Sequence, residues 1–483
     1  MPIHLIKPVN WILATDSYKV SHWLEIPEGT KYTWLMSMPR KVSPYSDVIV
    51  AMGQSFNADI LSKIRIEQWM IEEAEYETRI QGFSFNRKGW QIIADEFDGI
   101  LPIRMYGVPE GLQVTPNIPI AAYINSDERF AWLPGYFEPI LLRPHWKMST
   151  VATMCLAARK ILTEYADKTG TAREKVNYMY HFFGDRAADS YGAAVKAGIA
   201  HAALFDGTDC LSANRYIKSL FGDPRDYMSS IEATEHFVSS LNSDNAAQDD
   251  FGAAEMAVDR LYKVVELAKQ GIGISKLSVV IDTFNDIRFV RDYIGDRLKD
   301  RILNSGGTLV CRPDTGNPSE RPGVIGELLA NSFGTTETAT RHRVLHPCVE
   351  VIQGDGINID SLRSVVSGWV DDNGFAMDSF HLGSGNGISH EGSRDDFSFS
   401  MKAIAYFDHK WNRLLKAPKG DSVKKSLTGL LGVVMKDGRL DTVDYTDRSA
   451  IMTNDYWLEW QDTGVRKVYQ NFGSVRSYAR AGT

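Results

Sequence analysis

Charged residues and glycines stand where four apolar runs of the chain stop, and these residue types are the ones best suited to chemistry. The run LVC at 309–311 is followed by Arg312 and Asp314, and the run SVVI at 278–281 is followed by Asp282. Aspartates suit sugar hydroxyls or a metal ion, arginine suits a phosphate or an amide oxygen, and glycine loops let backbone N–H groups approach phosphate. The other two runs, at 349–353 and 380–382, lead into GDG at 354–356 and GSGNG at 383–387. Together these residues predict a site for a phosphorylated sugar.

These residues need a frame that brings their loops together. We predict that the four runs are buried strands of a parallel α/β sheet or barrel, because the loops after the C-terminal ends of such strands build active sites. Another strand-like segment precedes them at 176–180. The alternation of strands and helices is typical of βα units, and its length favours a barrel over an open sheet. The predicted helices between the strands lie at 187–204, 251–269 and 285–304.

The two ends of the chain differ in character from its middle. Residues 1–150 mix strand and helix patterns and predict an α+β domain, whereas 151–395 carry the βα alternation of the barrel. The barrel segment is predicted to open with a helix capped by Ser149 or Thr150. Residues 396–483 again have strand-like and polar patterns, and we expect this segment to pack with the N-terminal domain.

Composition indicates a large enzyme and argues against nucleic acid as a partner. A chain of 483 residues with 43% hydrophobic content can bury a sizeable core. Its formal charge of -8 differs from the concentrated basic surface that nucleic acid requires. A local basic cluster does occur, and it is an ordinary solvated loop unless other observations support a role. Its members are Lys416, Lys419, Lys424 and Lys425.

The cysteines and the hydropathy of the chain predict a cytoplasmic protein. The four cysteines are scattered without a CxxC pair, and two of them stand inside apolar segments, which suits buried thiols in a reducing compartment. Near the N-terminus, Lys7, Asp16 and Lys19 interrupt any apolar stretch. No run approaches the ~18 apolar residues of a membrane span, so we expect no membrane insertion.

Three further segments contain reactive groups but also have plainer explanations. HFFGDR at 181–186 reads as a turn with two core aromatics, and FDGTD at 205–209 reads as a plain turn. ATDSYKVSH at 14–22 would serve as an ordinary helix start. His236 follows Glu235, and a single histidine is more often a structural hydrogen-bonder than a catalyst. A Ser-His-Asp hydrolase is conceivable, but no GxSxG elbow occurs in the chain.

Taken together, the motifs resemble those of the nicotinamide phosphoribosyltransferase family, and they occur in the order expected for it. Further matches at 88–90, 108–111 and 150–153 extend the likeness over most of the chain. The motifs are ATDSYKVSH at 14–22, FGDR at 183–186, GTD at 207–209, ATEH at 233–236, RPDTGNP at 312–318, QGDG at 353–356 and GSGNG at 383–387.

The resemblance implies an activity, a fold and an assembly. The implied reaction joins nicotinamide to phosphoribosyl pyrophosphate and gives nicotinamide mononucleotide and pyrophosphate, a step of NAD salvage. The implied fold is α/β, an irregular (β/α) barrel of the type II phosphoribosyltransferase kind with a second α+β domain formed from both chain ends. A head-to-tail homodimer with shared active sites, dependence on Mg2+ and stimulation by ATP hydrolysis are also implied.

The resemblance implies roles for residues of the nicotinamide site, according to their positions in the motifs. Phe183 matches the aromatic that stacks on one face of the nicotinamide ring, and Tyr18 matches the one that covers the other face from the partner subunit. A flat ring that becomes cationic in the product is well held in such a sandwich. Asp209 matches the acceptor for the carboxamide NH2 and Arg312 the donor to its oxygen, while Ser230 and Ile231 line the pocket.

The resemblance also implies roles towards the sugar, the phosphates and the metal. Asp314 and Asp355 match groups that hold ribose hydroxyls, and Asp282 matches an acid close to magnesium and pyrophosphate. Arg186 and His236 match pyrophosphate-side residues, and His236 matches the histidine that ATP phosphorylates. The 5′-phosphate would lie on the glycine loops, with Gly354, Gly383, Gly385 and Asn386, and would be completed from the other subunit by Arg394, Ser400, Lys402 and Lys424.

The chain departs from the family pattern at three positions. Phe182 stands where the family usually has Asp, Asp185 where it usually has Tyr, and Asn386 replaces a glycine of the phosphate loop. Two other functions remain open alternatives. Nicotinate phosphoribosyltransferase shares the chemistry, but Asp209 would repel a carboxylate. A non-catalytic nucleotide sensor on the same scaffold would have no need of the complete set of polar residues.

Overall fold

The computed structural model describes residues 8–43, 45–419, 426–445 and 456–483. Within these ranges, no helix combines the length and the apolar character needed to cross a membrane. The described residues form two compact units. The first contains those of Met1–Thr153, Ile217–Pro224 and Gly392–Ala481, and the second contains those of Met154–Tyr216, Arg225–Glu391 and Gly482–Thr483.

Strands of the first unit come from both ends of the chain, and strands of the second come from its middle. In chain order the described strands are β1 (Tyr32–Met38), β2 (Ile49–Val50), β3 (Ile103–Gly107), β4 (Gln113–Val114), β5 (Ala121–Asn125), β6 (Tyr180–Phe182), β7 (Glu232–Ala233), β8 (Lys276–Val280), β9 (Thr308–Arg312), β10 (Thr335–Glu337), β11 (Arg343–Leu345), β12 (Val349–Gln353), β13 (Phe380–Ser384), β14 (Ser400–Phe407), β15 (Trp411–Arg413), β16 (Leu431–Lys436), β17 (Arg439–Asp444), β18 (Leu458–Asp462) and β19 (Val465–Arg466).

Helices separate most strands of the second unit. The described α-helices are α1 (Gln54–Lys63), α2 (Gln68–Ile80), α3 (Arg87–Glu96), α4 (Leu133–Tyr136), α5 (Glu138–Thr169), α6 (Tyr191–Ala202), α7 (Leu211–Phe221), α8 (His236–Leu241), α9 (Phe251–Lys269), α10 (Asp286–Arg288), α11 (Lys299–Leu303), α12 (Arg321–Phe333), α13 (Ile359–Ser367), α14 (Asn386–Ser389) and α15 (Phe472–Ala479). Shorter 3-10 segments occur at Ser17–Leu24, Glu128–Phe130, Arg173–Tyr178 and Met377–Ser379, and π-helical segments at Phe289–Arg297 and Gly368–Asp372.

The second unit is built on a parallel sheet in the order β6-β13-β12-β9-β8-β7. Single parallel bridges join Phe182 to Thr208 and Gly207 to Ser229, and they continue the sheet back towards β7. The strands therefore curl into an irregular ring. Helices α9 and α12 pack on its outside, against β8 and β12 respectively.

Helix α9 was predicted correctly, whereas the helix expected at 285–304 is divided into α10, a π-helical segment at Phe289–Arg297 and α11. The buried side chains of α9 include Ala254, Val258, Leu261 and Val265, which recur every three or four residues and form one apolar face. The observed bounds Phe251–Lys269 equal the predicted ones. Helix α6 is shorter than predicted, because the Ser190 side chain accepts a hydrogen bond from the backbone N–H of Ala193 and caps the helix there.

The first unit is built on an antiparallel sheet in the order β15-β14-β1-β5-β3-β18-β19. Strand β14 pairs with β1, and β18 pairs with β3, so segments from opposite ends of the chain share one sheet. Large buried aromatics, among them Trp34, Trp90 and Trp460, fill its core. A parallel α/β ring accompanied by an α+β unit from both chain ends confirms the predicted fold class.

Two further local predictions were wrong. The strand expected at 176–180 begins only at Tyr180, because the preceding residues Arg173–Tyr178 close 3-10 turns. The helix expected to start near 150 begins at Glu138 and contains Pro144. Ser149 does not cap it: its hydroxyl accepts a hydrogen bond from the Met52 backbone N–H at 3.0 Å.

Candidate active site

Four neighbouring strands of the ring deliver the predicted polar residues to one edge. Strands β8, β9, β12 and β13 run parallel, so their C-terminal ends lie on the same side of the sheet. Asp282 follows β8, Asp314 follows β9, Asp355 follows β12, and the glycine loop follows β13. The juxtaposition that the sequence predicts is therefore present in the structure.

A cavity of about 670 Å³ lies at this edge, and we call it the rim cavity. Its walls are loop residues that follow the strands, and they combine carboxylates, guanidinium groups and glycine backbone. The lining residues include Phe183, Asp185, Arg186, Asp209, Arg312, Asp314, Gly354, Asp355, Asn358, Gly385, Asn386, Gly387 and Glu391. Such a surface suits a ligand with hydroxyl groups and phosphates.

A second cavity of about 480 Å³ lies within the ring, and we call it the inner cavity. Side chains that point inwards from the strands line it, including Ser278, Val310 and Ile352, together with Ser230 and Ile231. Three residues belong to the walls of both cavities: Phe183, Asp209 and Arg312. The predicted nicotinamide-site residues of the second unit therefore stand at or beside the junction of a polar and a more apolar space.

Phe183 owes its position to a glycine beneath its ring. A Cβ atom added to Gly383 would lie 1.9 Å from Cε2 of Phe183, so only glycine leaves room for the ring. The backbone N–H of Phe183 also donates to the Ser384 carbonyl oxygen at 2.9 Å. Gly383 was predicted as a phosphate-loop residue, and the structure shows it as the seat of the aromatic ring, outside the lining of the rim cavity.

Asp209 and Arg312 form an acceptor and a donor at the junction. The Ser230 hydroxyl donates to Oδ1 of Asp209 at 2.5 Å. Desolvation raises the pKa of Asp209, and the Ser230 hydrogen bond and the Arg312 charge oppose that rise. Arg312 donates through Nη2 to the Thr234 carbonyl oxygen at 2.7 Å, while its buried Nε has no hydrogen-bond partner among the described residues. This pair can receive a group that both donates and accepts.

The inner cavity also contains a charged network that the sequence did not suggest. Lys276 donates to both carboxylate oxygens of Glu350, at 2.6 and 2.7 Å, and Nε2 of His381 lies 3.0 Å from Glu350 Oε2. Burial opposes ionisation of Glu350, yet His381 and Lys276 lower its pKa to about 2. Burial lowers the pKa of His181, which also lines the cavity, to about 3. Only their alternate positions within strands could have indicated these inward-facing charges.

His236 lies beside two acids, Asp282 after β8 and Asp314 after β9. Its Nε2 is 3.6 Å from Asp282 Oδ1 and 3.7 Å from Asp314 Oδ2, and its Nδ1 is 3.4 Å from the Thr283 hydroxyl. The side chain of His236 is 44% exposed, so a ligand can reach the ring. The structure thus brings together His236, Asp282 and Asp314, three of the residues that the resemblance assigns to the sugar, the phosphates and the metal.

The two carboxylate oxygens of Asp282 differ in their contacts. Its Oδ2 accepts from the Asp314 backbone N–H at 2.9 Å and from the Thr315 hydroxyl at 2.7 Å. Its Oδ1 is buried and has no hydrogen-bond partner among the described residues. Described His, Cys, Asp and Glu side chains form no group of three that could hold a metal ion by itself. Magnesium is commonly held by one or two carboxylates together with substrate phosphate oxygens, and Asp282, with one oxygen outside any hydrogen bond among the described residues, is a carboxylate of that kind.

Other predicted residues belong to the first unit, where each can be described separately. Tyr18 is 55% exposed on the 3-10 segment Ser17–Leu24, and the buried Lys19 beside it pairs with Glu138 at 3.0 Å. Arg394 is an exposed residue paired with Asp395 at 3.0 Å. Ser400 and Lys402 lie on β14, and Lys424 lies outside the described residues.

A basic cluster in the first unit was only partly foreseen. The pKa of Lys402 is lowered first by burial and then by the charges of Arg40 and Lys416. Three cations close enough to influence one another form a surface that suits an anion. Sequence reasoning missed Arg40, because it lies more than 350 residues from Lys402 in the chain and comes near only through the pairing of β1 with β14.

Comparison with protein families and curated proteins gives consistent matches. A model of the nicotinamide phosphoribosyltransferase N-terminal domain matches residues 10–105, and a model of the nicotinate phosphoribosyltransferase (NAPRTase) family matches residues 178–443. The chain is 32% identical over 426 residues to a nicotinamide phosphoribosyltransferase of Xanthomonas campestris, covering 87% of each chain. It is 30% identical over 463 residues to a nicotinamide phosphoribosyltransferase of Acinetobacter baylyi, covering 89% of this chain and 88% of the relative.

Solved structures resemble the chain in fold. Nicotinate-nucleotide pyrophosphorylase from Pyrococcus furiosus superposes with a TM-score of 0.61 at 15% identity, covering 99% of this chain and 97% of that one. Human nicotinic acid phosphoribosyltransferase gives a TM-score of 0.54 at 13% identity, with 96% and 92% covered. At such low identity the likeness establishes the architecture.

Proposed function

The chain belongs to the nicotinamide phosphoribosyltransferase family, and we propose that it joins nicotinamide to phosphoribosyl pyrophosphate, giving nicotinamide mononucleotide and pyrophosphate. The observation that carries the proposal is the junction of the two cavities, where Phe183, Asp209 and Arg312 belong to both walls. A base at this junction would meet an aromatic face, an acceptor and a donor. The sugar and its phosphates would occupy the rim cavity.

The junction favours a neutral carboxamide over a carboxylate. The carboxamide NH2 can donate to Asp209, and its oxygen can accept from Arg312. Nicotinate has no such donor, and its carboxylate would stand against the anionic Asp209, where juxtaposed like charges are costly. The alternative function as a nicotinate phosphoribosyltransferase is therefore disfavoured.

The rim cavity supplies the groups needed for the phosphoribosyl part. Asp314 and Asp355 provide carboxylates for ribose hydroxyls, and Gly354, Gly385 and Asn386 provide backbone near the phosphate. Arg186, exposed on the same wall, is suited to the pyrophosphate. A non-catalytic nucleotide sensor would not need separate groups for the ribose, the phosphate and the pyrophosphate, so the sensor alternative does not explain this site.

Charge development decides the mechanism. Breaking the bond between ribose C1 and pyrophosphate leaves oxocarbenium character on the sugar and negative charge on the leaving group. Arg186 would stabilise the departing charge, and the carboxylates of Asp314 and Asp355 would orient the ribose. The pyridine nitrogen is already nucleophilic, so no side chain has to remove a proton from it. Holding the base against C1 therefore contributes most to the rate.

Magnesium is the cofactor we propose for this site, with Asp282 as the side chain that would hold it through Oδ1, the oxygen that makes no hydrogen bond among the described residues. When bound, the ion supplies Lewis-acid stabilisation of negative charge on phosphate oxygens. The other oxygen of Asp282 keeps the loop of Asp314 and Thr315 in place. Asp282 thus has a second, positioning role that does not depend on the ion.

We further propose that ATP phosphorylates His236 and that this stimulates the transferase reaction. The supporting observation is a partly exposed imidazole that lies 3.6 Å from Asp282 and 3.7 Å from Asp314. His236→Ala should abolish ATP hydrolysis and leave a slower, uncoupled transferase reaction. Measurement of phosphate release from ATP tests this, and unchanged hydrolysis in the variant would exclude the role.

The functional assembly that we propose is a homodimer with shared sites. In it, Tyr18 covers the base in the partner's site, and Arg394, Ser400, Lys402 and Lys424 complete the partner's phosphate site. The cationic grouping of Arg40, Lys402 and Lys416 supports an anion-binding role for this surface. We propose a cytoplasmic location, in keeping with four cysteines that are all buried and free.

An assay of the purified protein tests the proposed function. Phosphoribosyl pyrophosphate, Mg2+ and nicotinamide should yield nicotinamide mononucleotide and pyrophosphate in equal amounts. Omission of the phosphoribosyl donor should abolish the product. A protein that binds phosphoribosyl pyrophosphate but forms no mononucleotide from either nicotinamide or nicotinate would favour the sensor alternative.

A further inference from the structure

Glu391 puts a carboxylate on the wall of the rim cavity, beside the glycine loop that follows β13. A carboxylate at a phosphate site is unexpected, because it repels the ligand. Its partners are two side-chain amides: Nδ2 of Asn358 donates to Oε1 at 3.3 Å, and Nδ2 of Asn386 donates to the same oxygen at 3.5 Å. Both asparagines line the rim cavity as well.

Asn358 anchors the carboxylate to a rigid part of the ring. Its Oδ1 accepts from the Ser361 backbone N–H at 2.9 Å as the cap of α13, which turns its amide nitrogen towards Glu391. The Ser384 hydroxyl donates to the Ile357 carbonyl oxygen at 2.6 Å, so the loop after β13 is tied to the start of α13. Glu391 also donates its backbone N–H to the Asn386 carbonyl oxygen at 3.0 Å.

Asn386 is the residue that this anchored carboxylate can control. It is exposed between Gly385 and Gly387, and it adds a side chain where the resembled loop has glycine. An unrestrained side chain at this place can lie across the part of the cavity wall that Gly385 and Gly387 form. The hydrogen bond to Glu391 holds the amide to one side.

We infer that Glu391 is a positioning residue that keeps the Asn386 side chain out of the 5′-phosphate position, an inference that rests on the proposed function. The carboxylate has two opposing effects, since it restrains Asn386 and also repels phosphate. With Asn386 present, loss of the restraint dominates. With glycine at 386, only the repulsion remains to be removed.

A double-mutant cycle tests this dependence on Asn386. KM for phosphoribosyl pyrophosphate and Kd for ribose 5-phosphate are measured for the wild type, Glu391→Ala, Asn386→Gly and the double variant. Glu391→Ala should raise both constants about three- to tenfold in the wild-type background, the size expected for one hydrogen bond. In the Asn386→Gly background the same substitution should raise neither constant. KM for nicotinamide should keep its wild-type value throughout.

Glu391→Gln keeps an acceptor oxygen but removes the charge, so its two constants should lie at or below the wild-type values. Asp360→Asn is the matched control, because Asp360 is exposed two residues after Asn358 and does not line the rim cavity. An equal rise for Glu391→Ala in both backgrounds, or no rise in the wild-type background, would overturn the inference. Ribose 5-phosphate binding needs no base, so a wild-type protein without transferase activity would contradict the proposed function while this arm still tests Glu391.

Discussion

The rim cavity and the inner cavity share three wall residues, yet they are built in different ways. The rim consists of loops after strand ends, with exposed Asp355, Asn386 and Arg186. The inner cavity consists largely of side chains within the strands, with a half-buried ion network around Glu350. In our proposal, side chains on loops adapt to the charged sugar phosphate, whereas side chains on strands give the binding site of the base a fixed shape. We therefore expect substitutions in the rim cavity to affect phosphoribosyl binding. We expect substitutions in the inner cavity to affect the base site and the stability of the fold.

The largest expected effect concerns the proposed contribution of one subunit's Arg394 to the rim cavity of the partner. In our proposal, Arg394 serves the partner's rim cavity and Asp314 serves its own. Arg394→Ala and Asp314→Ala chains should each be inactive, but a heterodimer of the two should regain about half of the wild-type activity, because one of its two sites carries every native residue. Failure to complement in verified heterodimers would place both residues in one subunit's site.

The inner cavity should respond most strongly through Glu350. Glu350→Gln leaves the half-buried Lys276 without its counter-charge and should lower the free energy of unfolding by about 2 kcal/mol, below the range of about 3–5 kcal/mol for fully buried pairs. Denaturant unfolding measures this. Glu266→Gln is the control, since Glu266 and Lys269 form an ion pair with both side chains at least 64% exposed, and such pairs contribute about 1 kcal/mol or less. Equal effects of the two substitutions would contradict the distinction.

The same pair makes a pH prediction. Because the pKa of Glu350 in the folded protein is lowered to about 2, its ionised form stabilises the fold above the usual glutamate pKa near 4.5. This stabilisation should decline as the pH falls from about 4.5 towards 2. The Glu350→Gln protein should lack this component of acid destabilisation, and unfolding measured across that pH range would reveal it.

Gly383→Ala should act on the shared wall. Its Cβ would lie 1.9 Å from Cε2 of Phe183, so the ring must leave the position in which we propose that it stacks on the base. A misplacement of about 1 Å can cost roughly a hundredfold in rate, and we expect kcat/KM for nicotinamide to fall by that order. Gly192→Ala is the control, because nothing lies within 4 Å of the added atom. A similar fall for the control would show a general effect of adding methyl groups.

Asp209→Asn should change base choice. The substitution removes the repulsion of a carboxylate and adds a donor, so the preference of about a hundredfold for nicotinamide over nicotinate should largely disappear. The change should combine a lower kcat/KM with nicotinamide and a higher kcat/KM with nicotinate. An unchanged preference would indicate that Asp209 does not face the carboxamide.

The sequence predicted the rim better than the inner cavity for a physical reason. At the strand ends the residue type changes abruptly from apolar to charged, and the parallel topology brings these ends together. Asp282 after β8 and Asp314 after β9 are examples. Glu350 lies inside β12, whose residues on both faces are mostly apolar, so the residue pattern alone does not show which face is turned to the inside of the ring. Nothing in the chain around Lys276 or His381 indicates that they meet the same carboxylate.

Contacts between distant segments were also beyond prediction. Arg40 and Lys402 lie near opposite ends of the chain, and only the pairing of β1 with β14 makes them neighbours. Ser149 resembled a helix cap, but the distant Met52 uses its hydroxyl. In both cases the local pattern was ordinary, and a long-range contact determined the outcome.

The central claim is that the junction of the two cavities selects a neutral carboxamide through Asp209 and Arg312. The most direct test is kcat/KM of the unmodified protein for nicotinamide and for nicotinate, with phosphoribosyl pyrophosphate and Mg2+ in both reactions. A repulsion of about 2.7 kcal/mol corresponds to about a hundredfold preference for nicotinamide, which is the predicted result. Comparable values for the two bases, or a preference for nicotinate, would contradict the account.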